Sequence, residues 1–142
     1  MTTEEDASPP KPFRVQPQLD DENRFFWTSG ADGVLRFLRC QDCDRWLHPP
    51  LPRCPSCGSV HLAPEAVSGR GEVYSFTINH QPWDGGTEPY VIALVTLPEQ
   101  VGLQMTSNVV GCPPDDVRIG MPVQVTFEQH DVVYFPVFEP AS

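Results

Sequence analysis

A chain of 142 residues suits one compact domain, or two very small ones that share a core. Nineteen acidic against 9 basic residues leave a net charge of −10, with Lys11 the single lysine, a surface that repels phosphate backbones and argues against nucleic acid as a partner. No apolar run approaches the roughly 20 residues of a membrane-spanning helix, and the segment from Met1 to Pro12 carries Glu4, Glu5 and Asp6 without an apolar core, so neither a signal peptide nor a membrane contact is expected and a cytoplasmic protein is.

In chain order, residues 1–18 hold Pro9, Pro10, Pro12 and Pro17 beside the acidic cluster and read as a disordered or surface-draped arm. A helical segment is expected over 19–33. Asp20 is placed to cap it, acidic residues fill its first turn, and Gly30 lies just past the helical run that reaches Trp27. Phe25, Phe26 and Trp27 are adjacent and point in different directions, so at least one is expected to meet a partner or the wrapped arm rather than the core. Residues 34–66 follow as a cysteine-bearing unit, with a strand over Val34–Arg39 and a returning strand over Trp46–His48 stopped by Pro49 and Pro50.

From 67 to 142 the pattern is all-β. Gly71–Asn79 alternates, with Val73, Ser75 and Thr77 on one face and Tyr74, Phe76 and Ile78 on the other. Further strands are expected over Tyr90–Leu97, Val101–Ser107, Val123–Gln129 and Val132–Phe138, the last interrupted by Pro136 and so placed at an edge. Five strands, with Gly69 and Gly71 letting the first one bend, fit a Greek-key barrel of the OB type, with a small sandwich as the alternative. The fold class expected is mainly β: an N-terminal helix, a ribbon and a five-stranded barrel.

The strongest chemical signal is Cys40-x-x-Cys43 followed after ten residues by Cys54-x-x-Cys57. Two tight turns of this kind aim four thiolates at one ion and leave no open position for substrate, which is a structural zinc site. Iron bound by four thiolates, as in an electron-transfer protein, and a redox pair of C-x-x-C motifs are the competing readings; the second lacks the βαβ context it needs. Cys112 stands apart. Arg36, Arg39, Arg45 and Arg53 surround the cysteines and are expected to pair with Asp42 and Asp44 rather than to form a phosphate-binding patch. His48, His61, His80 and His130 are scattered, none near a nucleophile in sequence. His80 opens a long loop that carries Trp83, read either as a lid on the barrel or as a partner anchor. Asp115 and Asp116 look like the cap of a short helical turn.

These features stand in one order: a helix with aromatics, a ribbon containing Cys54-Pro55-Ser56-Cys57-Gly58, then Gly69-Arg70-Gly71-Glu72-Val73-Tyr74-Ser75-Phe76-Thr77 and Gly120-Met121-Pro122-Val123. From about residue 20 onward that order resembles the zinc-ribbon/OB-fold proteins associated with acyl-CoA metabolism. The resemblance implies a rubredoxin-like zinc ribbon and an OB barrel. It also implies a non-catalytic accessory subunit bound as a hetero-oligomer to a thiolase-superfamily enzyme, with acyl-CoA reached through that partner. Among such partners it points first to a retro-aldolase of steroid side-chain degradation that cleaves a β-hydroxyacyl-CoA, with an acetoacetyl-CoA-type thiolase or synthase complex as the alternative. A nucleic-acid-binding module, with Tyr74 and Phe76 stacking bases, is the competing class. Trp27 and Trp83 are the expected partner anchors, each of which would otherwise cover the small core.

Overall fold

The computed structural model describes residues 14–80 and 88–141. Trp83 and most of the expected N-terminal arm therefore lie outside the described residues. One short helix, α1 (Arg24–Thr28), runs directly into a 3-10 turn over Ser29–Asp32. Asp20 does not cap α1. Its Oδ1 instead accepts the N–H groups of Glu22 and Asn23, holding a separate turn ahead of the helix. Gly30 is not the helix stop either. It sits within the 3-10 turn, where a Cβ would stand 2.4 Å from Cδ1 of Phe127 and 2.7 Å from Cβ of Tyr134, so its missing side chain is what lets the helix approach the barrel. The chain reverses at Gly33, with φ of +79°.

The ribbon is a three-stranded antiparallel sheet of β1 (Arg36–Cys40), β2 (Trp46–Leu47) and β3 (Leu62–Ala66), with β1 in the middle. The sequence reading missed β3: Pro64 and Glu65 hide it, yet Pro64 sits on an outer strand opposite Leu38, where a missing N–H is tolerated. The barrel closes through β4 (Arg70–Asn79), β5 (Tyr90–Thr96), β6 (Gln104–Val109), β8 (Val133–Pro140) and β7 (Pro122–His130), in that order. Three local readings change. A bulge between Val73 and Ser75 adds Tyr74 to β4 and reverses its phase, so Val73 shares the inner face with Phe76 and Ile78 while Tyr74 is 60% exposed. Tyr74 and Phe76 therefore do not form one stacking platform. Strand β6 starts at Gln104 because Val101 and Gly102, with φ of +83° at Gly102, form the preceding turn. And Pro136 is not at an edge: β8 lies between β6 and β7. The Pro136 carbonyl accepts the Ser107 hydroxyl at 2.8 Å, and the β6·β8 contact is a single parallel pair, Val109 with Phe138, so the ring nitrogen forfeits no ladder bond.

The main core runs from Phe26 and Phe37 through Val73, Val95 and Val123 to Phe138, and a smaller cluster gathers Leu38, Leu47, Cys40 and Cys54. Helix α1 is a wedge between them. Phe26 enters the main core, Phe25 packs against both clusters, and Trp27 meets Phe26 and Phe135 edge-on at 4.9 and 5.5 Å. All three aromatics thus have partners within the chain, because a wedge has protein on several sides. Ribbon and barrel are further joined by Gln100, whose side chain accepts the Trp46 N–H at 2.8 Å and donates to the Trp46 carbonyl at 3.1 Å.

Candidate metal centre and the adjoining cleft

The ribbon carries two turns built on one hydrogen-bonding plan. In the first, Cys40 N–H donates to the Arg45 carbonyl at 2.8 Å and Asp44 N–H to the Cys40 carbonyl at 3.0 Å. In the second, Cys54 N–H donates to the Ser59 carbonyl and Gly58 N–H to the Cys54 carbonyl, both at 2.9 Å. The fourth residue after each leading cysteine is left-handed, with φ of +67° at Asp44 and +79° at Gly58. Gly58 announces this geometry in the sequence; Asp44 adopts it without announcing it.

The plan brings all four sulfurs within 4.8 Å of one another, with Cys40 to Cys57 and Cys43 to Cys54 each at 3.6 Å. Four thiolates about 2.3 Å from one zinc ion stand about 3.8 Å apart at tetrahedral corners, so donor chemistry and spacing both suit that ion. The leading thiols, Cys40 and Cys54, are buried, and the trailing pair is exposed. Amides turned toward the leading sulfurs favour the thiolate a metal needs. The Cys43 N–H holds Cys40 below the ordinary thiol range, and the Cys57 N–H, with that of Ser56, brings Cys54 down to about 6.

Around the centre the polar contacts differ from expectation. Arg36 pairs with Asp32 and Arg39 with Glu65, Arg45 donates to the Ser56 hydroxyl, and Arg53 donates to the Gly58 carbonyl. Neither Asp42 nor Asp44 receives an arginine on its carboxylate among the described residues. Asp42 instead accepts the Ser59 hydroxyl and faces His61 Nδ1 at 3.0 Å, tying the two turns together; the Asp44 contribution is its backbone carbonyl, which takes the Arg39 Nε–H at 2.9 Å. A short 3-10 turn does form over Pro114–Asp116, but Asp115 and Asp116 lie within it and do not cap it; Pro113 holds the N-cap position, without a side-chain cap bond.

The histidines are not brought together. His61 stays on the ribbon surface, His80 is exposed at the end of β4, and His130 lies edge-on to Phe135 at 5.2 Å. His48 stacks on Phe37 at 4.2 Å and 10° and lies 5.0 Å from Phe26. Its Nδ1 is buried without a partner, and burial lowers its pKa to about 4, so it is a neutral packing residue. Beside it opens a cleft of about 770 Å³ between α1, the Pro49–Pro50 corner and the β6·β8 seam, with Trp27 and Phe135 on its walls. Nothing in the sequence marks this cleft, since it arises where two parallel strands diverge.

Comparison with known proteins follows the same division of the chain. Residues 27–61 match the model of the ChsH2 rubredoxin-like zinc ribbon domain, and residues 64–128 that of the ChsH2 C-terminal OB-fold domain. The metal of this ribbon is accordingly zinc. The chain is 38% identical, over 98% of its length, to a probable enoyl-CoA hydratase alpha subunit of Thermomonospora curvata, of which it covers 44%. It is 39% identical, over 80% of its length, to the 3-oxo-4,17-pregnadiene-20-carboxyl-CoA hydratase alpha subunit of Mycobacterium tuberculosis, of which it covers 36%. It thus spans less than half the length of these two relatives. Among solved structures, a chain of the Ltp2-ChsH2(DUF35) aldolase is 36% identical and superposes with a TM-score of 0.80, over 89% of this chain and 100% of that one. Other relatives carry the names DUF35 domain-containing scaffold protein, in archaea, and benzoylsuccinyl-CoA thiolase subunit BbsA. Several of these relatives are thus named as subunits or scaffolds of larger assemblies. Among the described residues no helix is long and apolar enough to cross a membrane.

Proposed function

Because the chain belongs to the DUF35 family, in its ChsH2 zinc-ribbon and OB-fold form, we propose that it is a non-catalytic accessory subunit of a thiolase-like enzyme acting on acyl-CoA. The most specific form of this reading is a retro-aldolase of steroid side-chain degradation. The observation that carries it is the likeness, over 89% of this chain, to a chain of the Ltp2-ChsH2(DUF35) aldolase, and the steroid-CoA name of one relative supports the substrate class. Cys40, Cys43, Cys54 and Cys57 hold the structural zinc, which fixes the ribbon and takes no part in turnover. Catalysis belongs to the partner, for among the described residues no histidine ring is hydrogen-bonded to a serine or cysteine side chain that it would activate. Trp27 and Trp83 anchor the partner. Co-expression with the thiolase-like protein of the same genome, followed by size-exclusion chromatography with light scattering, tests this: a stable hetero-oligomer is expected, and two separately eluting proteins would refute it.

A further inference from the structure

The cleft beside Trp27 lies at the barrel seam where β6 and β8 share a single pair. Its rim is apolar. Val15, Leu51 and Val101 are 64%, 41% and 102% exposed, and each directly adjoins in sequence a residue that lines the cleft, Arg14, Pro50 and Gly102. Exposed large apolar side chains next in sequence to its lining, with the aromatic rings of Trp27 and Phe135 within it, fit a protein contact better than free solvent. Its electrostatics select the occupant. Among the described residues that line the cleft, Arg14 alone carries a fixed positive charge. Its guanidinium is already engaged, donating to Glu128 at 2.6 Å and to Asn108 at 2.7 Å and lying over the Phe135 ring. Asp20 and Glu22 also line the cleft, and Glu22 has no ion pair among the described residues. A phosphate-bearing ligand would meet net negative charge here, whereas a basic side chain would find its counter-charge.

We infer that this cleft is the docking groove for a segment of the catalytic partner, one that lays an apolar side chain against the paired rings of Trp27 and Phe135 and turns a lysine or arginine toward Glu22. The inference rests on the subunit reading above and names the surface through which it operates. It also explains why Trp27 is only half-buried: the outer side of its ring forms part of the groove wall.

The test uses the full chain and the co-expressed thiolase-like protein. A photo-crosslinking residue is placed at Thr106, exposed on the cleft floor, and in a second preparation at Ile119, 70% exposed and outside the cleft. Crosslinks from Thr106 into one basic segment of the partner, and none from Ile119, are expected. Two variants measure the contribution. Thr106→Arg fills the groove and should raise the dissociation constant about tenfold or more, while Glu22→Arg, on an exposed turn, should raise it about three- to tenfold and flatten its salt dependence. Zinc content and the circular dichroism spectrum report folding, and if Thr106→Arg is damaged, Glu22→Arg decides alone. A complex of unchanged affinity in the folded variants, or crosslinks from Ile119 only, would overturn the groove and leave the subunit reading standing. Dimerisation of the chain alone through Thr106 would likewise overturn it in favour of a second copy as occupant. No complex with the unmodified chain would overturn both.

Discussion

Replacing His48 by phenylalanine tests how the ribbon, the helix and the barrel are joined. The ring stacks on Phe37 at 4.2 Å with its Nδ1 buried and unpartnered, so protonation would place an uncompensated charge among aromatic rings. Burial lowers the folded-state pKa from 6.5 to about 4, and the sign follows from proton counting. Between these two values the unfolded chain takes up a proton that the folded chain refuses. The stability His48 contributes is therefore complete above about pH 6.5 and is lost as pH falls toward 4. Linkage gives a loss of about 2 kcal/mol between pH 7.5 and pH 5, rising to about 3 kcal/mol by pH 4. Phenylalanine keeps the stacking area and removes the titration. Urea unfolding of both proteins at pH 7.5, 6 and 5, with zinc content measured at each pH, should show the unmodified protein losing about 2 kcal/mol more than His48→Phe over that range. Parallel stability curves for the two proteins would refute the assignment of His48 as a buried neutral group.

Gly30→Ala places a methyl group against Phe127 and Tyr134, so it should destabilise by about 1–3 kcal/mol, readable in the same urea titration; an unchanged midpoint would mean that the close approach is not needed. Purified protein should be colourless with one zinc per chain, and Cys54→Ala or Cys57→Ala should lose the metal and impair folding. Elemental analysis finding iron, or a metal-free variant that keeps its melting temperature, would contradict the structural role. Trp27→Ala and Trp83→Ala should each weaken assembly with the partner by about 2 kcal/mol while zinc content is unchanged. Calorimetry showing unchanged affinity for both would remove the anchor assignment.

What the sequence made legible was set by local chemistry. The two C-x-x-C turns could be read because their geometry is encoded within five residues, with Gly58 supplying one of the left-handed positions. The barrel could be read because alternation and turn glycines mark its strands one by one. The misses are tertiary. Strand β3 forms despite Pro64 because β1 offers it a partner, and Pro136 sits inside the closed barrel because the seam toward β6 demands no N–H. The phase of β4 reverses at Tyr74 through a bulge that no alternation pattern reveals. Gly30 looked like a helix stop but serves the approach of the helix to Phe127, a contact nearly a hundred residues away in sequence. Two of the four arginines around the ribbon, Arg36 and Arg39, form ion pairs, yet their partners, Asp32 and Glu65, are chosen by the sheet and not by proximity to Asp42 and Asp44 in the chain.

The central claim is that this chain supports catalysis without performing it. Turnover of a steroid β-hydroxyacyl-CoA should be measured for the isolated chain, for the thiolase-like partner and for their mixture at matched concentrations. No cleavage is expected from the rigorously partner-free chain, and cleavage that is present or markedly faster is expected in the mixture. Cleavage by the isolated chain, or a partner whose rate and stability are the same with and without it, would contradict the account.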